Sequence, residues 1–513
     1  MGEPSRVTAV IVLAAGSGTR MRSKRPKVLH EVCGLSMVEH VLRAASWIEP
    51  EHLVAVVGQG RELVGPHITE RFPAALLAVQ ETQRGTGDAV AVALTALAAL
   101  TAGATQDQAR GTSGAVGPVG PMGTVLVGYG DTPLLEGGTL ADLVADHTGA
   151  QRAVTVLTGE VADPFGYGRV IRDGDGAVTA IVEEKDADES QAAVREVNSG
   201  VFAFDAGFLA DALGRVGNDN AKGEYHLTDV VGIAHADGRR VGGFRTDDVR
   251  QTEGANDRAQ LAGLAAEMNR RILQRWMRHG VTIADPATTW IDTDVVLEAD
   301  ATVLPGVQLL GATTVGEDAV VGPDCTLKDV EIGRGAKVVR THGELAVVGA
   351  GADVGPFSYL RPGTVLGDGG KIGGFVETKN AQIGDRAKVP HLSYVGDAEI
   401  GEDTNIGAGT IFANYDGVTK HRTTIGRHAK TGSNNTFVAP VHVGDGAGTA
   451  GGTVVRRDVP PGALAVSAGP QRNIEGWAAD RRPGTPQAAA AEAAESEDVA
   501  PLADDQPTEG QSR

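Results

Sequence analysis

The chain has 513 residues, with 46 Lys and Arg against 66 Asp and Glu and a formal net charge of −20. That length exceeds what one hydrophobic core serves, so two or more domains are expected. The acidic balance argues against nucleic acid or an anionic membrane as the main partner, while leaving room for small anions held by a few local cations. The two cysteines, Cys33 and Cys325, exclude a disulfide framework and a Cys-rich zinc module, and they suit a reducing cytoplasm. No run of about 18 apolar residues is present, so no membrane insertion is expected.

Residues 1–255 read as α/β. Val7–Leu13 is a continuous apolar strand leading directly into a Gly-rich loop, and it reads as a buried strand and not a signal peptide. Pro26–Ser46 contains a helical segment, Leu53–Val57 is a second buried strand, and Asp88–Thr101 is an Ala-rich helix. A strand at Thr124–Val127 ends at Tyr129-Gly130-Asp131. Alternating strands and helices predict a mostly parallel, Rossmann-like sheet with ligands at the carboxyl ends of its strands. Residues 102–122 are rich in Gly, Ala and Thr/Ser and read as a flexible insertion. Leu261, Leu264, Met268, Ile272 and Trp276 have helical spacing, with Gly280 as a stop, so 256–280 is predicted to be a helical arm.

From Ile291 to Val455 the period changes. Apolar residues recur every sixth position at Ile291, Leu297, Val303, Leu309, Val315, Val321 and Leu327, and again from Val348 to Ile372 after a slip in phase. Many are followed by Gly and then by a small residue, as in Ile-Gly-Asp-Arg-Ala at 383. This period fits neither helix nor strand and predicts a β-helix of hexapeptide repeats over 281–476. Glycine is expected to permit the tight corners. Residues 477–513 are Ala-, Glu-, Asp- and Pro-rich without hydrophobic period and are expected to be disordered.

Two sets of residues carry chemistry. The first opens with Leu13-Ala14-Ala15-Gly16-Ser17-Gly18-Thr19-Arg20 and Pro26-Lys27. Glycines after a buried strand let backbone N–H groups approach phosphate, and Arg20 and Lys27 add positive charge. Gln80, Gly85-Thr86-Gly87, Tyr129-Gly130-Asp131, Gly168, Glu183, Asn198 and Asn256 complete the set. The second lies in the later hexads: Arg361, Lys379, His391-Leu392-Ser393-Tyr394, Asn405, Ala408 and a polar loop with Asn414, Tyr415 and Lys420. Repeats need small turn residues; they do not need a His, a Tyr, an Arg and a Lys.

Together the two sets resemble the family of bifunctional N-acetylglucosamine-1-phosphate uridyltransferases and glucosamine-1-phosphate N-acetyltransferases, over roughly residues 7–476. The resemblance implies synthesis of UDP-N-acetylglucosamine, a precursor of bacterial envelope polymers, by acetyl transfer from acetyl-CoA followed by uridylyl transfer from UTP with release of pyrophosphate. It implies Mg²⁺ on Asp131 and Asn256, and Arg20 and Lys27 as catalytic cations. Uridine contacts fall on Leu13, Ala14, Ala15, Gly16, Gln80, Gly85 and Thr86, with Tyr129 and Gly130 beside the metal. Sugar contacts fall on Gly168, Glu183 and Asn198. In the coil it implies His391 as the base, Arg361, Lys379, Tyr394 and Asn405 around the sugar phosphate, and Ala408, Asn414, Tyr415, Ser433 and Gly451 around acetyl-CoA. It further implies a left-handed coil and a cytoplasmic homotrimer. Two departures stand out: Gly451 where an Ala is common, and Ala468 where some members carry an Arg. Two other readings remain. The coil could be a scaffold behind a one-activity nucleotidyltransferase, against which the His391–Tyr394 cluster argues. The chain could be a binding protein with degenerate sites, against which Lys27, Asp131 and His391 argue.

Overall fold

The computed structural model describes residues 7–105, 108, 123–220, 222–467, 469 and 471–496. Most of the expected 102–122 insertion, and Ala468, lie outside the described residues.

The first domain is built on one mixed sheet. Its strands are β1 (Val7–Ala14), β2 (His52–Val57), β3 (Leu76–Val79), β4 (Thr124–Tyr129), β5 (Val154–Glu160), β6 (Arg169–Arg172), β7 (Val178–Val182), β8 (Glu196–Asp205) and β9 (Val241–Arg245). The order across the sheet is β3-β2-β1-β4-β8-β5-β9, with the β6–β7 hairpin attached to β8. Strands β1 to β4 are mutually parallel, and β8 runs antiparallel between β4 and β5. β1 is apolar throughout because both its faces are covered. Ala9 and Ile11 enter one core, with the helix α3 (Thr86–Thr101). Val10, Val12 and Ala14 enter the other, with α1 (Met37–Trp47), α2 (Arg61–Arg71) and α4 (Gly137–Gly149). Helices α5 (Ala206–Leu213) and α6 (Asp229–Ala236) pack on the α3 side. The carboxyl ends of β1, β3 and β4 therefore open on one edge, where the predicted loops begin.

The arm is α7 (Arg258–Arg278), capped by Asp257, whose side chain accepts from Gln260 N at 2.9 Å. Gly280, at φ 90°, ends it. Leu264, Ile272 and Leu273 are buried in a core that also takes in Val32, Cys33, Met37, Leu134 and Ala255 of the first domain and the aliphatic residues of the coil. Domain, arm and coil thus share one apolar core.

The coil is a parallel β-helix of short strands, from Thr282–Ile283 to Leu464–Ala465, of the left-handed hexapeptide kind. Ile291 pairs with Leu309, and Leu309 with Leu327, each 18 residues on (309 − 291 and 327 − 309), so three hexads make one turn. The phase slips where strands run through a corner. In Thr326–Ile332 and Thr341–Val348 the bend is made by single left-handed residues, Asp329 (φ 53°) and Leu345 (φ 46°). The glycine of the pentad has a different role from the expected one. Gly316 and Gly333 have no left-handed φ; instead a Cβ there would meet Arg334 N at 2.7 Å and Ala350 N at 2.6 Å of the next turn. Glycine permits the coils to stack closely.

The tail departs from the expected disorder. Residues 477–496 contain α8 (Trp477–Arg481) and α9 (Pro486–Ser496). Their sequence is Ala-rich, and helix propensity suffices to form a short helix where no hydrophobic period is present. Residues 497–513 lie outside the described residues.

Candidate active sites

At the first site, β1 and β4 are adjacent and parallel, so their carboxyl ends lie side by side, and Gly130 N donates to Leu13 O at 2.9 Å. The loop after β1 turns at Gly18 (φ 57°), where a Cβ would overlap Lys27 Cβ. Gly18 therefore serves to seat Lys27. Gly16 is exposed and a Cβ there would meet nothing, so its surface lies open to a ligand. Lys27 Nζ is ion-paired to Asp131 Oδ2 and donates to Asn256 Oδ1 at 3.0 Å. Both charged side chains are largely buried, exposed by 14% and 19%. Three residues drawn from three distant segments thus meet at one point. Arg258 Nε donates to Met21 O at 3.2 Å and fixes the arm against the loop. Arg20 stands exposed on the rim and makes no ion pair among the described residues.

The members of the set from Gln80 to Gly87 are also assembled. Gln80, buried at the end of β3, donates to Gly85 O at 3.1 Å and to Asp88 Oδ2 at 2.8 Å. Gly85 sits at φ 117°, with Tyr225 O at 2.5 Å from where a Cβ would be. Gly87 N donates to Tyr225 O at 2.8 Å, and Leu227 N donates to Thr86 Oγ1 at 2.9 Å. Gln83 reaches across to Ala15 O. Tyr225 and Gln83 are members that sequence reasoning missed, since neither stands in a loop with its own signature.

Further along the sheet, Asn198 N donates to Gly168 O at 2.8 Å. A Cβ on Gly168 would lie 3.6 Å from both Asn198 Cβ and Glu183 Oε1, so these three residues are neighbours. Asn198 Oδ1 accepts from Gly200 N at 2.9 Å, and Gly200 (φ 80°) has no room for a Cβ against the Tyr129 ring. Burial, with Glu183 and Asp131 nearby, pushes the Tyr129 hydroxyl well above the usual range. Glu184, by contrast, is structural: it pairs with buried Arg169 at 2.6 Å and accepts from Gly166 N at 3.1 Å.

The second site lies on the coil. Tyr359, Glu377, Tyr394 and Ile411 stack in one column, and Lys379 pairs in register with Gly396. Arg361 is ion-paired to Glu377 at 2.9 Å and lies over the Tyr359 ring at 6.0 Å. Asp397 is the hub. It accepts from Asn380 Nδ2 at 2.8 Å and from Asn414 Nδ2, and Lys379 Nζ lies 4.0 Å away. Burial opposes ionisation of Asp397, but the hydrogen bonds from Asn380 and Asn414 and the charges of Lys379 and Lys420 hold its carboxyl below the usual range. Lys420 lies against Lys379, and a hydrogen bond between the two amino groups, followed by their charge repulsion, lowers its pKa. A Cβ on Gly396 would crowd Asn414 Nδ2 at 2.7 Å, so glycine there opens the pocket. Asn414 is thus bonded to Tyr394 and Asp397, beside Lys379. Asp397 joins the cluster with Lys420 of the polar loop; an Asp after Gly is common in these repeats and does not stand out in sequence.

His391, exposed, sits on another corner. Its backbone O accepts from Gly409 N at 3.2 Å, and it borders a cleft of about 360 Å³ with Phe375 and Leu392. Asn434 N donates to Ala408 O at 2.7 Å and Gly452 N donates to Ser433 O at 2.8 Å, so Ala408, Ser433 and Gly451 follow His391 up one edge. Asn405 bridges Lys388 and Lys430 and is exposed. Tyr415 is 60% exposed, its hydroxyl donating to Gly417 O at 2.6 Å. A Cβ at Gly451 would meet only Ser433 O at 3.7 Å, an ordinary contact. Among the described residues no side-chain bond joins His391 to the Lys379–Tyr394 cluster.

Residues 10–189 match the family model described as the MobA-like NTP transferase domain. The chain is 58% identical over 495 residues to a "Bifunctional protein GlmU" of Kineococcus radiotolerans, covering 96% of each chain. It is 58% identical over 494 residues to that of Rhodococcus opacus, covering 95% of each, and 57% identical over 490 residues to that of Streptomyces avermitilis, covering 95% of this chain and 98% of the relative. The chain belongs to the family of bifunctional GlmU proteins.

Proposed function

We propose that this chain makes UDP-N-acetylglucosamine in two steps at two separate sites. At the first, a phosphate oxygen of N-acetylglucosamine-1-phosphate attacks the α-phosphorus of UTP, and the bond to the β-phosphate breaks to release pyrophosphate. No covalent intermediate is needed, so the protein supplies position and charge. Lys27 and Arg20 neutralise the triphosphate, Gln80, Gly85 and Thr86 form the rim for the uracil, and Gly168, Glu183 and Asn198 the rim for the sugar. Asp131 and Asn256 present two hard oxygens that converge on one cation, the Lys27 ammonium, and this donor set fits Mg²⁺ completed by water and phosphate. When bound, Mg²⁺ would supply further charge neutralisation there.

At the second site the amine of glucosamine-1-phosphate attacks the thioester carbon of acetyl-CoA. A C–N bond forms, the C–S bond breaks, and the amine proton passes to His391 and from it to the departing thiolate, which leaves as the thiol. Arg361, Lys379 and Lys420 hold the phosphate, and Tyr394 with Asn405 the sugar. Ala408, Ser433 and Gly451 line the coenzyme, with Asn414 and Tyr415 at its acetyl end. The observation that carries this reading is the paired-lysine cluster around Asp397, an anion site built into a scaffold that has no structural need of one.

The chain acts as a cytoplasmic homotrimer. Phe357 and Phe375 stack at 5.2 Å on one corner of the coil and are 55% and 61% exposed, and Leu392 follows them. All three hold left-handed backbone, costly for large apolar residues, and this favours a covered face. Among the described residues no helix is long and apolar enough to cross a membrane. The test is thiol release from acetyl-CoA with glucosamine-1-phosphate and no UTP. Release that needs the sugar phosphate and falls roughly 100-fold or more in His391→Ala supports the reading. No release, with uridylyl transfer intact, makes the coil a scaffold.

A further inference from the structure

Between the first domain and the arm lies a cleft of about 630 Å³, away from both sites described above. Its volume is in the range of small-ligand pockets. One wall is α1, ending in Trp47, whose indole is 64% exposed. The indole lies against Gly137, where a Cβ would come within 2.7 Å of Trp47 Cγ. The opposite wall is the last turn of α7, with Arg275, Arg278 and His279. Glu136 and Asp248, the carboxylates on the rim, are both engaged by Arg271, at 3.1 Å and 2.7 Å. Among the described residues Arg275 and Arg278 have no carboxylate partner, and Arg275 rests on the Trp276 ring at 5.0 Å. Arginines in a last turn complement the helix dipole, which accounts for their place in α7. It does not account for an exposed indole lining the same cleft as these arginines in a chain of net charge −20.

We propose that this cleft is a second ligand site that takes a nucleoside di- or triphosphate, its base stacked on Trp47 and its phosphates on Arg275 and Arg278. An aromatic face opposite two unpaired guanidinium groups matches the two halves of such a ligand: a π-face, and an anion that Arg holds bidentately. The ligand would touch both the first domain and the arm.

The test is calorimetric titration of the full chain with ADP. The expected result is a binding component with Kd below about 1 mM. It weakens by about tenfold or more in Trp47→Ala and in the Arg275→Ala, Arg278→Ala pair, and persists in Trp47→Phe and in Lys27→Ala. Arg275 and Arg278 are exposed, so their variants keep the fold; circular dichroism checks this for each variant, Trp47→Ala included. Absence of any component up to about 1 mM overturns the proposal. So does a component lost in Lys27→Ala and untouched by the cleft variants, which would place ADP at the first site.

Discussion

The two candidate sites are assembled in opposite ways. At the first, parallel strands end side by side, and Lys27, Asp131 and Asn256 already bond to one another within one chain. At the second, the coil distributes its residues over separate corners. Lys379, Tyr394, Asp397 and Asn414 form one bonded group, while His391, Ala408, Ser433 and Gly451 climb another edge. A sheet converges its strand ends on a point; a β-helix repeats the same corner and cannot converge by itself. The difference teaches that the residues of the first candidate site are bonded to one another within one chain, while those of the second stand on two separate edges; under the proposed function a neighbouring coil brings those edges together.

The largest way to break the comparison is Lys27→Ala, which should lower uridylyl transfer by roughly 100-fold or more and leave acetyl transfer unchanged when each half-reaction is assayed alone. Next is Gly200→Ala, where both the left-handed φ and the Tyr129 ring forbid a Cβ. It should cost about 2 kcal/mol or more of stability, read by denaturant unfolding, and impair uridylyl transfer only. Glu267, on the arm, is held by Arg250 of the first domain and by Arg270 and Arg271 of its own helix. Hydrogen bonds from Arg270, and then Arg271, outweigh its burial and bring its carboxyl down to about 2. A depressed carboxylate stabilises fully above its ordinary range near pH 4.5 and loses that contribution as pH falls toward 2. Glu267→Gln should therefore be less stable than the parent at pH 7, with the gap closing between about pH 5 and 2 in a pH series of unfolding midpoints. Smallest is Gly451→Ala, which should change acetyl transfer by less than about 0.5 kcal/mol in transition-state terms, because the added methyl meets only Ser433 O.

Much of this was legible in the residues. The six-residue period located the coil, and continuous apolar runs located β1 and β2, because burial on both faces leaves no other pattern. The loop after β1, Asp131 and the His391–Tyr394 segment were legible as motifs. What was not legible is contact between distant segments. Nothing in the sequence says that Tyr225 closes the Gly85–Gly87 loop, that Lys420 meets Lys379, or that Asp397 gathers both asparagines. Nor does it say that pentad glycines serve stacking rather than corners, since both uses select the same residue. Asn256 lies one position past the expected domain boundary, and Ala255 is buried in the core shared with the coil. The first site therefore reaches into the arm.

The most direct measurement is both half-reactions on Phe357→Glu, with the mass of the particle determined by ultracentrifugation. Phe357 is exposed at the coil corner, so the charge disturbs the proposed face between chains and not the core. A monomer that retains uridylyl transfer and loses acetyl transfer is the predicted result. A monomer that still acetylates glucosamine-1-phosphate would contradict the account, since the second site would then be complete in one chain.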